Sequence, residues 1–421
     1  MITFAALALS GGSGALAAIG IAGAGFVAAE FVARAWLARR GRSFVWPPYS
    51  QTRMLIDRET LPTLEPVVEH RINSEGERGD PLPPTTNGLF RVLVVGGSAA
   101  ECWFIDQKSS WANVVQETLR EPQNLAKLQA SHVHVGNIAR SLVTCRHVDA
   151  ILERVLPHYE RLDAIVFMVG ASDVLHWLEK GAPSKLDDGP IAPSAIFGQY
   201  PDGPFGWGPR TLALRRIASA ARRRWSRGVE VRDRAGRRLG DARAMRQRAK
   251  EVVREVPDPT PMLAGFDAWF ESLILRAREK ARHVIVVRQP WLEKQFTPEE
   301  EKLLWSFGSG RPYAGEVTRY YAREVGWKLH RMVDQHAETI ARKLGVETID
   351  LMPILEPSFD HYYDDHHHTP AGCRVIGRTV AEAIVEAVET KRKPAEKSAG
   401  ASPTGSPLKS RPAAGGKRAT S

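Results

Sequence analysis

The 421-residue chain is 43% hydrophobic and 25% charged, the composition of a globular protein with a large core. Its net charge of +10 is concentrated in residues 215–254 and in the segment from Lys391 to the end. No recognition helix, zinc finger or RNA-binding signature accompanies these basic segments, so nucleic-acid binding is not predicted. The three cysteines show no CxxC spacing, which argues against a disulfide framework or a structural zinc site: Cys102, Cys145 and Cys373.

The chain begins with an apolar segment, since residues 1–29 carry no charged side chain. This length exceeds the roughly 20 residues that a helix needs to cross a bilayer. A signal peptide would have a basic region before its apolar core, whereas the positive charges here follow it, at Arg34, Arg39, Arg40 and Arg42. We therefore expect residues 1–37 to be a single-pass anchor in the cell membrane, with the C-terminal side in the cytoplasm.

A juxtamembrane lead-in at 38–89 is expected to precede an α/β domain at 90–389. In this domain short β-branched runs alternate with amphipathic stretches of helix length. The runs are 90–96, 132–136, 163–170, 282–290 and 346–351. Continuous apolar strands separated by helices predict a parallel sheet that is covered on both faces. Sites in such sheets lie beyond the carboxyl ends of the strands, so the loops there are the place to look for chemistry.

The loop after the first run reads VVGGSAAECW, in which Gly96 and Gly97 allow a tight turn before Ser98. The glycine patterns of phosphate and dinucleotide loops are absent, and so is the GxSxG elbow. Taken alone, GGS also fits a plain strand-to-helix turn. The second run ends at Gly136 and Asn137, and the third ends in VGASDV.

The fifth run leads to YYDDHHHTP at 362–370, where Thr369 is predicted to cap a helix that has Pro370 as its first residue. The Asp/His cluster therefore lies in a loop at the same sheet edge as Ser98. A metal would need three or four converging ligands, and successive loop residues point in different directions, so neither a metal nor a cofactor is predicted. Three histidines are expected to be solvated loop residues: His361, His366 and His368.

These blocks resemble the SGNH (GDSL-type) hydrolases, and specifically the bacterial membrane-anchored branch whose first block reads GGS. The similarity runs from about residue 71 to about 389, interrupted by an insert at about 180–260. The blocks are GGS at 96–98, an Asn-containing loop at 136–144, GxSD at 170–173 and DxxHxTPxG at 364–372. The resemblance implies a three-layer α/β/α flavodoxin-like sandwich with a central five-stranded parallel sheet.

In that family the first-block serine is the nucleophile, and a histidine and an aspartate of the last block complete a triad. Carried over, Ser98 is the nucleophile, His367 is the base and Asp364 is its partner. The three-residue spacing lets the carboxylate orient the imidazole. A register shifted by one, Asp365 with His368, fits the His-x-Thr-Pro spacing less well.

The oxyanion donors of the family are the serine amide, a second-block glycine amide and a third-block asparagine. The asparagine position is Ser172 here, and the glycine position falls at Ser141 or Leu142, depending on a one-residue ambiguity. Gly97 and Asn137 complete the candidate oxyanion and substrate residues. Because losing one donor typically lowers the rate on the order of 10²–10³-fold, the resemblance implies reduced or specialised activity.

The expected function is a serine esterase or deacylase that hydrolyses an acyl ester, such as an O-acetyl ester, of a lipid or cell-envelope glycan. Two alternatives stay open: an O-acyltransferase acting on a glycan, and a catalytically degenerate SGNH domain that serves as a binding module. The Arg-rich insert is expected to be mostly helical, with a turn at RDRAGRR, and to form a solvated cap over the site. Contact of its arginines with anionic headgroups is a hypothesis. The basic tail at 390–421 is expected to be disordered.

Overall fold

The computed structural model describes residues 3–187, 189–200, 208, 211–226 and 228–399. The strands are β1 Gln51–Ile56, β2 Val67–Arg71, β3 Leu89–Gly96, β4 His132–Asn137, β5 Leu162–Met168, β6 Val229–Ala235, β7 Glu251–Val253, β8 Ala281–Arg288, β9 Arg319–Tyr321 and β10 Glu347–Asp350. The α-helices are α1 Thr3–Arg40, α2 Ser98–Glu101, α3 Trp111–Leu119, α4 Pro122–Leu128, α5 Cys145–Val155, α6 Ala171–Glu179, α7 Pro193–Ile196, α8 Ala213–Ser226, α9 Arg237–Gln247, α10 Thr260–Arg278, α11 Pro298–Glu301, α12 Arg323–Lys343 and α13 Pro370–Ala399.

The central sheet has five strands in the order β10-β8-β5-β3-β4, and every neighbouring pair is parallel. The predicted sheet is confirmed, with strand bounds that differ from the expected ones by no more than two residues. Because all five strands run in one direction, their carboxyl ends meet at one edge. The loops after β3, β4 and β5 therefore converge there, as expected for a sheet of this kind.

The sheet is covered on both faces. Val92 and Val94 of β3 belong to a hydrophobic cluster with α3 and α13, while Leu93 and Val95 belong to a second cluster with α5, α10 and α12. This division follows from the two-residue period of a strand, which sends successive side chains to opposite faces. The result is the three-layer α/β/α sandwich that the resemblance predicts.

A smaller sheet in the order β2-β1-β6 joins the lead-in segment to the insert. Helices α8 and α9 and a turn at Gly236, within RDRAGRR, agree with the expected insert, but strand β6 was not expected, since residues 229–235 run parallel to β1. The free edge of β1 provides backbone hydrogen-bond partners for β6. Because β1 is distant in the chain, the local sequence around β6 does not indicate this pairing. The chain turns only after the strand, at Gly236, whose φ is 97°.

The described residues begin and end in helices. Helix α1 contains the stretch Leu16–Arg39, of mean hydropathy 1.9, which is long and apolar enough to cross a membrane or to be a signal sequence. Helix α13 runs to Ala399, so the expected disorder is wrong for residues 390–399, although Pro394 in this segment disfavours a helix. The rest of the predicted tail, 400–421, lies outside the described residues.

Candidate active site

The turn that carries Ser98 depends on close backbone contact. A Cβ on Gly96 would overlap the carbonyl oxygen of Met168 and the side chain of Ala100, so only glycine fits there. The amide of Gly97 donates to the same Met168 carbonyl, at 3.2 Å. Ser98 follows as the first residue of α2, half-buried at the carboxyl edge of the sheet.

The loop before α13 is closed by its own backbone. The amide of Tyr363 donates to the carbonyl of His367 at 3.0 Å, and the amide of Thr369 donates to that of His361 at 2.9 Å. The hydroxyl of Thr369 accepts from the amide of Gly372 at 3.2 Å, which confirms the predicted helix cap. The loop is thus fixed directly ahead of the long helix.

A continuous hydrogen-bond chain links the two loops across 269 positions of sequence. Nε2 of His367 lies 2.8 Å from Oγ of Ser98. Nδ1 of His367 lies 2.8 Å from both carboxylate oxygens of Asp364. Because an ionised carboxylate can only accept, Nδ1 carries the proton, and Nε2 of the neutral ring is left to accept from the serine hydroxyl.

Asp364 is 1% exposed, and its oxygens are saturated with donors. Besides the imidazole, Oδ1 accepts from the amides of His366 at 3.0 Å and His367 at 2.9 Å. Oδ2 accepts from the indole nitrogen of Trp305 at 2.9 Å. Trp305 was missed by the sequence analysis, because it is 59 positions away and belongs to no recognisable motif.

The environment lowers the pKa of Asp364 and raises the pKa of His367. Burial by itself raises the pKa of Asp364, but the charge and hydrogen bond of His367 outweigh it and hold that pKa well below its usual range. Burial by itself lowers the pKa of His367, but the charge and hydrogen bond of Asp364 outweigh it and raise the pKa above 6.5. The imidazole is therefore a stronger base than a free histidine, and it faces a hydroxyl.

The loop after β4 contains both candidates for the second-block position, Ser141 and Leu142. Leu142 has a φ of 66°, the left-handed conformation that favours glycine. The amides of Ser98 and Leu142 donate to no other group among the described residues. Both amides belong to the segments that follow β3 and β4 at the carboxyl edge of the sheet.

Both hydrogen-bond donors of Ser141 are bound to a buried acid instead. Its amide donates to Oε2 of Glu101 at 2.5 Å, and its hydroxyl donates to the same oxygen. Burial raises the pKa of Glu101 in spite of these hydrogen bonds. Glu101 was not recognised from sequence, although an acid three residues after Ser98 in an apolar stretch was a signal. It ties the 141–142 turn to the helix that carries Ser98.

The remaining predicted residues divide into two groups. Oγ of Ser172 lies 3.0 Å from where a Cβ on Gly97 would stand, so this hydroxyl borders the serine turn. Asn137 uses both polar atoms of its side chain within the protein, because its amide nitrogen donates to the carbonyl of Ala100 at 2.7 Å and its oxygen accepts from the amide of Ala139 at 2.8 Å. Its contacts fasten the loop after β4 to α2.

The expectation of solvated histidines is wrong for His366 and His368, which are 2% and 3% exposed. The loop packs beneath α12, where Nε2 of His366 lies 2.8 Å from Nε2 of His330. His368 packs against the ring of Tyr362, with 5.0 Å between ring centroids. Within the described residues, no three side chains of the His, Cys, Asp or Glu type are arranged to hold a metal ion.

The insert also differs from a purely solvated cap. Arg243 of α9 is buried and donates to three backbone carbonyls: Leu303 at 2.8 Å, Thr60 at 2.6 Å and Tyr363 at 2.9 Å. Its position is fixed because an unpaired buried guanidinium would be costly. The insert thereby holds the residue next to Asp364.

No family model and no curated protein matches this chain. Among solved structures it is similar to the acetylxylan esterase Axe2 of Geobacillus stearothermophilus, with 14% identity, 70% of this chain and 94% of that one covered, and a TM-score of 0.36. It is similar to LAE5, an alpha/beta hydrolase from the metagenome of Lake Arreo, with 11% identity, coverage of 71% and 96%, and a TM-score of 0.38. It is also similar to a lipolytic protein of the G-D-S-L family from Veillonella parvula, with 9% identity, coverage of 70% and 97%, and a TM-score of 0.35. At these values the activity has to be inferred from the chain's own residues.

Proposed function

We propose that this protein is a serine ester hydrolase of the SGNH type, which cleaves an acyl ester of a lipid or cell-envelope glycan through an acyl-enzyme. The observation that carries the proposal is the chain Ser98–His367–Asp364, with 2.8 Å at each step, at the carboxyl edge of the parallel sheet. A hydroxyl, a correctly protonated imidazole and a buried carboxylate in this order are the parts of a nucleophilic serine site.

In the first half-reaction, Oγ of Ser98 attacks the acyl carbon as its proton passes to Nε2 of His367. The carbonyl oxygen becomes an oxyanion, which the amides of Ser98 and Leu142 stabilise, together with the hydroxyl of Ser172. When the intermediate collapses, the ester C–O bond breaks and the imidazolium returns its proton to the leaving alcohol. The acyl group remains on Ser98.

In the second half-reaction, His367 removes a proton from a water molecule, whose oxygen attacks the acyl carbon. Collapse of the second intermediate breaks the bond to Ser98 and returns the proton to its Oγ, which releases a carboxylic acid. Asp364 keeps the proton on Nδ1 and stabilises the imidazolium in both steps.

A fluorophosphonate probe tests the proposal, because it phosphonylates an activated serine with loss of fluoride. We expect the folded full-length protein to be labelled at Ser98, and labelling to be lost in Ser98→Ala and His367→Ala. Ser131→Ala is the matched control, because Ser131 is exposed and lies before β4, at the opposite edge of the sheet. Folded wild-type protein that resists the probe would instead be the degenerate binding module.

The proposed location is the cell membrane, with α1 as a single-pass anchor and the α/β domain in the cytoplasm. Arg34, Arg39 and Arg42 follow the apolar segment, and positive charge is retained on the cytoplasmic side. Protease added to intact cells should leave the domain uncut, whereas protease added to opened cells should digest it. Digestion in intact cells would place the domain outside.

A further inference from the structure

Two tryptophans and two arginines form a cluster to which the proposed mechanism assigns no role. The rings of Trp46 and Trp103 are stacked, with 5.8 Å between their centroids and 17° between their planes. The guanidinium of Arg140 lies 5.6 Å from the ring centroid of Trp46, and that of Arg232 lies 5.1 Å from the ring centroid of Trp103. Because the four residues belong to four different segments of the chain, the cluster joins these segments to one another.

Two members of the cluster belong to the segments that carry the proposed catalytic groups. Trp103 lies two residues after the end of α2, whose first residue is Ser98. Arg140 lies in the loop after β4, and its amide donates to the carbonyl of Gly96 at 3.1 Å. Because only one residue separates Arg140 from Leu142, a displacement of Arg140 also displaces the amide of Leu142 relative to Ser98.

Trp46 reaches this loop from the segment between α1 and β1. Its indole nitrogen donates to the carbonyl of Ala139 at 3.1 Å. The preceding residue, Val45, is 1% exposed, and its carbonyl accepts from Nη1 of Arg140 at 3.4 Å. Residues 45 and 46 are therefore fixed in the protein core, and they hold residues 139 and 140 through two hydrogen bonds and the ring of Trp46.

We propose that Trp46 is a positioning residue for ester hydrolysis, because it holds the loop after β4 where the amide of Leu142 can stabilise the oxyanion formed at Ser98. Trp46 acts through this loop and does not contact the substrate. A misplacement of about 1 Å in a catalytic site can cost about 10²-fold in rate, so the contacts of one ring are enough to matter. This inference rests on the proposed ester hydrolysis and extends the catalytic apparatus to the segment that precedes the α/β domain.

Trp46→Leu tests this role in the full-length protein, with 4-nitrophenyl acetate as the substrate. We expect kcat to fall about 10-fold and KM to stay within about twofold, because an oxyanion donor is displaced and no substrate contact is lost. The pH inflection due to His367 should stay in place, since the hydrogen bond between His367 and Asp364 is unchanged. Trp46→Phe keeps an aromatic ring and loses only the indole N–H, so its kcat should lie between those of Trp46→Leu and the wild type.

Hydrogen exchange provides a readout that does not depend on activity. The amides of residues 139–142 should exchange faster in Trp46→Leu than in the wild type, because the loop loses the contacts that restrain it. Trp269→Leu is the matched control: Trp269 is a half-buried tryptophan of α10, and the guanidinium of Arg146 of α5 lies 5.8 Å from its ring centroid. This control should change neither kcat nor the exchange of residues 139–142.

A double variant tests whether the two tryptophans act as one unit. Trp103→Leu removes the ring on which Trp46 stacks, so it should also lower kcat. Trp46→Leu/Trp103→Leu should be slower than the slower single variant by no more than about twofold, because residues in contact are not independent. Wild-type kcat or a raised KM in Trp46→Leu, or effects that multiply in the double variant, would overturn this role alone. Folded wild-type protein that neither hydrolyses the ester nor reacts with the fluorophosphonate would overturn the proposed function as well.

Discussion

Asp364 accepts hydrogen bonds from four N–H groups, two from backbone amides, one from Trp305 and one from the imidazole of His367. This number of donors is what keeps a buried carboxylate ionised, because each donor favours the charged form. The ionised carboxylate in turn raises the pKa of His367. At the scale of single residues, the strength of the base is thus set by groups that never touch the substrate.

The pH dependence of ester hydrolysis should show the effect of Asp364 on the pKa of His367. His367 must be neutral to accept the serine proton, so kcat/KM should fall as the pH drops through a pKa above 6.5. Asp364→Asn removes the charge that raises this pKa, so the inflection should move to lower pH. The rate should fall about 10⁴-fold, because the ring loses its tautomer. A variant whose inflection stays in place would show that Asp364 does not set the base.

Leu142 gives a second prediction at this scale, because its left-handed backbone is costly for any residue with a Cβ. The side chain is 49% exposed, so little packing is lost on truncation. Leu142→Gly should be more stable than Leu142→Ala by about 1 kcal/mol in urea unfolding, and both should keep the probe reaction, since both keep the amide donor. Equal stability of the glycine and alanine variants would contradict the left-handed assignment.

Elements that look peripheral in sequence position the catalytic loop. Strand β6 pairs with β1, and helix α9 directly after it supplies Arg243, which reaches the carbonyl of Tyr363. The insert is therefore bound to the domain on two sides. The insert can stabilise the catalytic loop only while α9 stays packed against that loop.

Arg243→Met tests whether these contacts stabilise the catalytic loop, because it keeps an unbranched side chain at this position while removing every hydrogen-bond donor. Three backbone carbonyls would lose their partner, so the free energy of unfolding should fall by about 2–4 kcal/mol, measured in urea. Labelling of Ser98 should slow as well, because the residue next to Asp364 is released. Arg238→Met, at an exposed position of the same helix, should change neither quantity. Wild-type stability of Arg243→Met would show that the contacts of Arg243 do not stabilise the catalytic loop.

Over the whole molecule, the sequence predicted what depends on local pattern. The sheet was predictable because runs such as 90–96 are apolar on both faces, and the pairing of Asp364 with His367 because it spans three residues. The contacts of Trp305 and Arg243 with the catalytic loop could not be predicted, because they join residues that are 59 and 120 positions apart. Strand β6 was missed for the same reason, since its partner β1 lies far away in the chain.

Helix α1 and the α/β domain are separable in this architecture. Neither hydrophobic cluster of the sandwich includes a described residue of α1, and α1 contacts the body mainly through α8. A chain that begins at Gly41 should therefore fold, leave the membrane fraction and label at Ser98 within about twofold of the full-length rate, because distant regions contribute additively. A truncated protein that folds but no longer reacts with the probe would show that α1 acts on the catalytic site. A truncated protein that still sediments with membranes would show that α1 is not what holds the chain there.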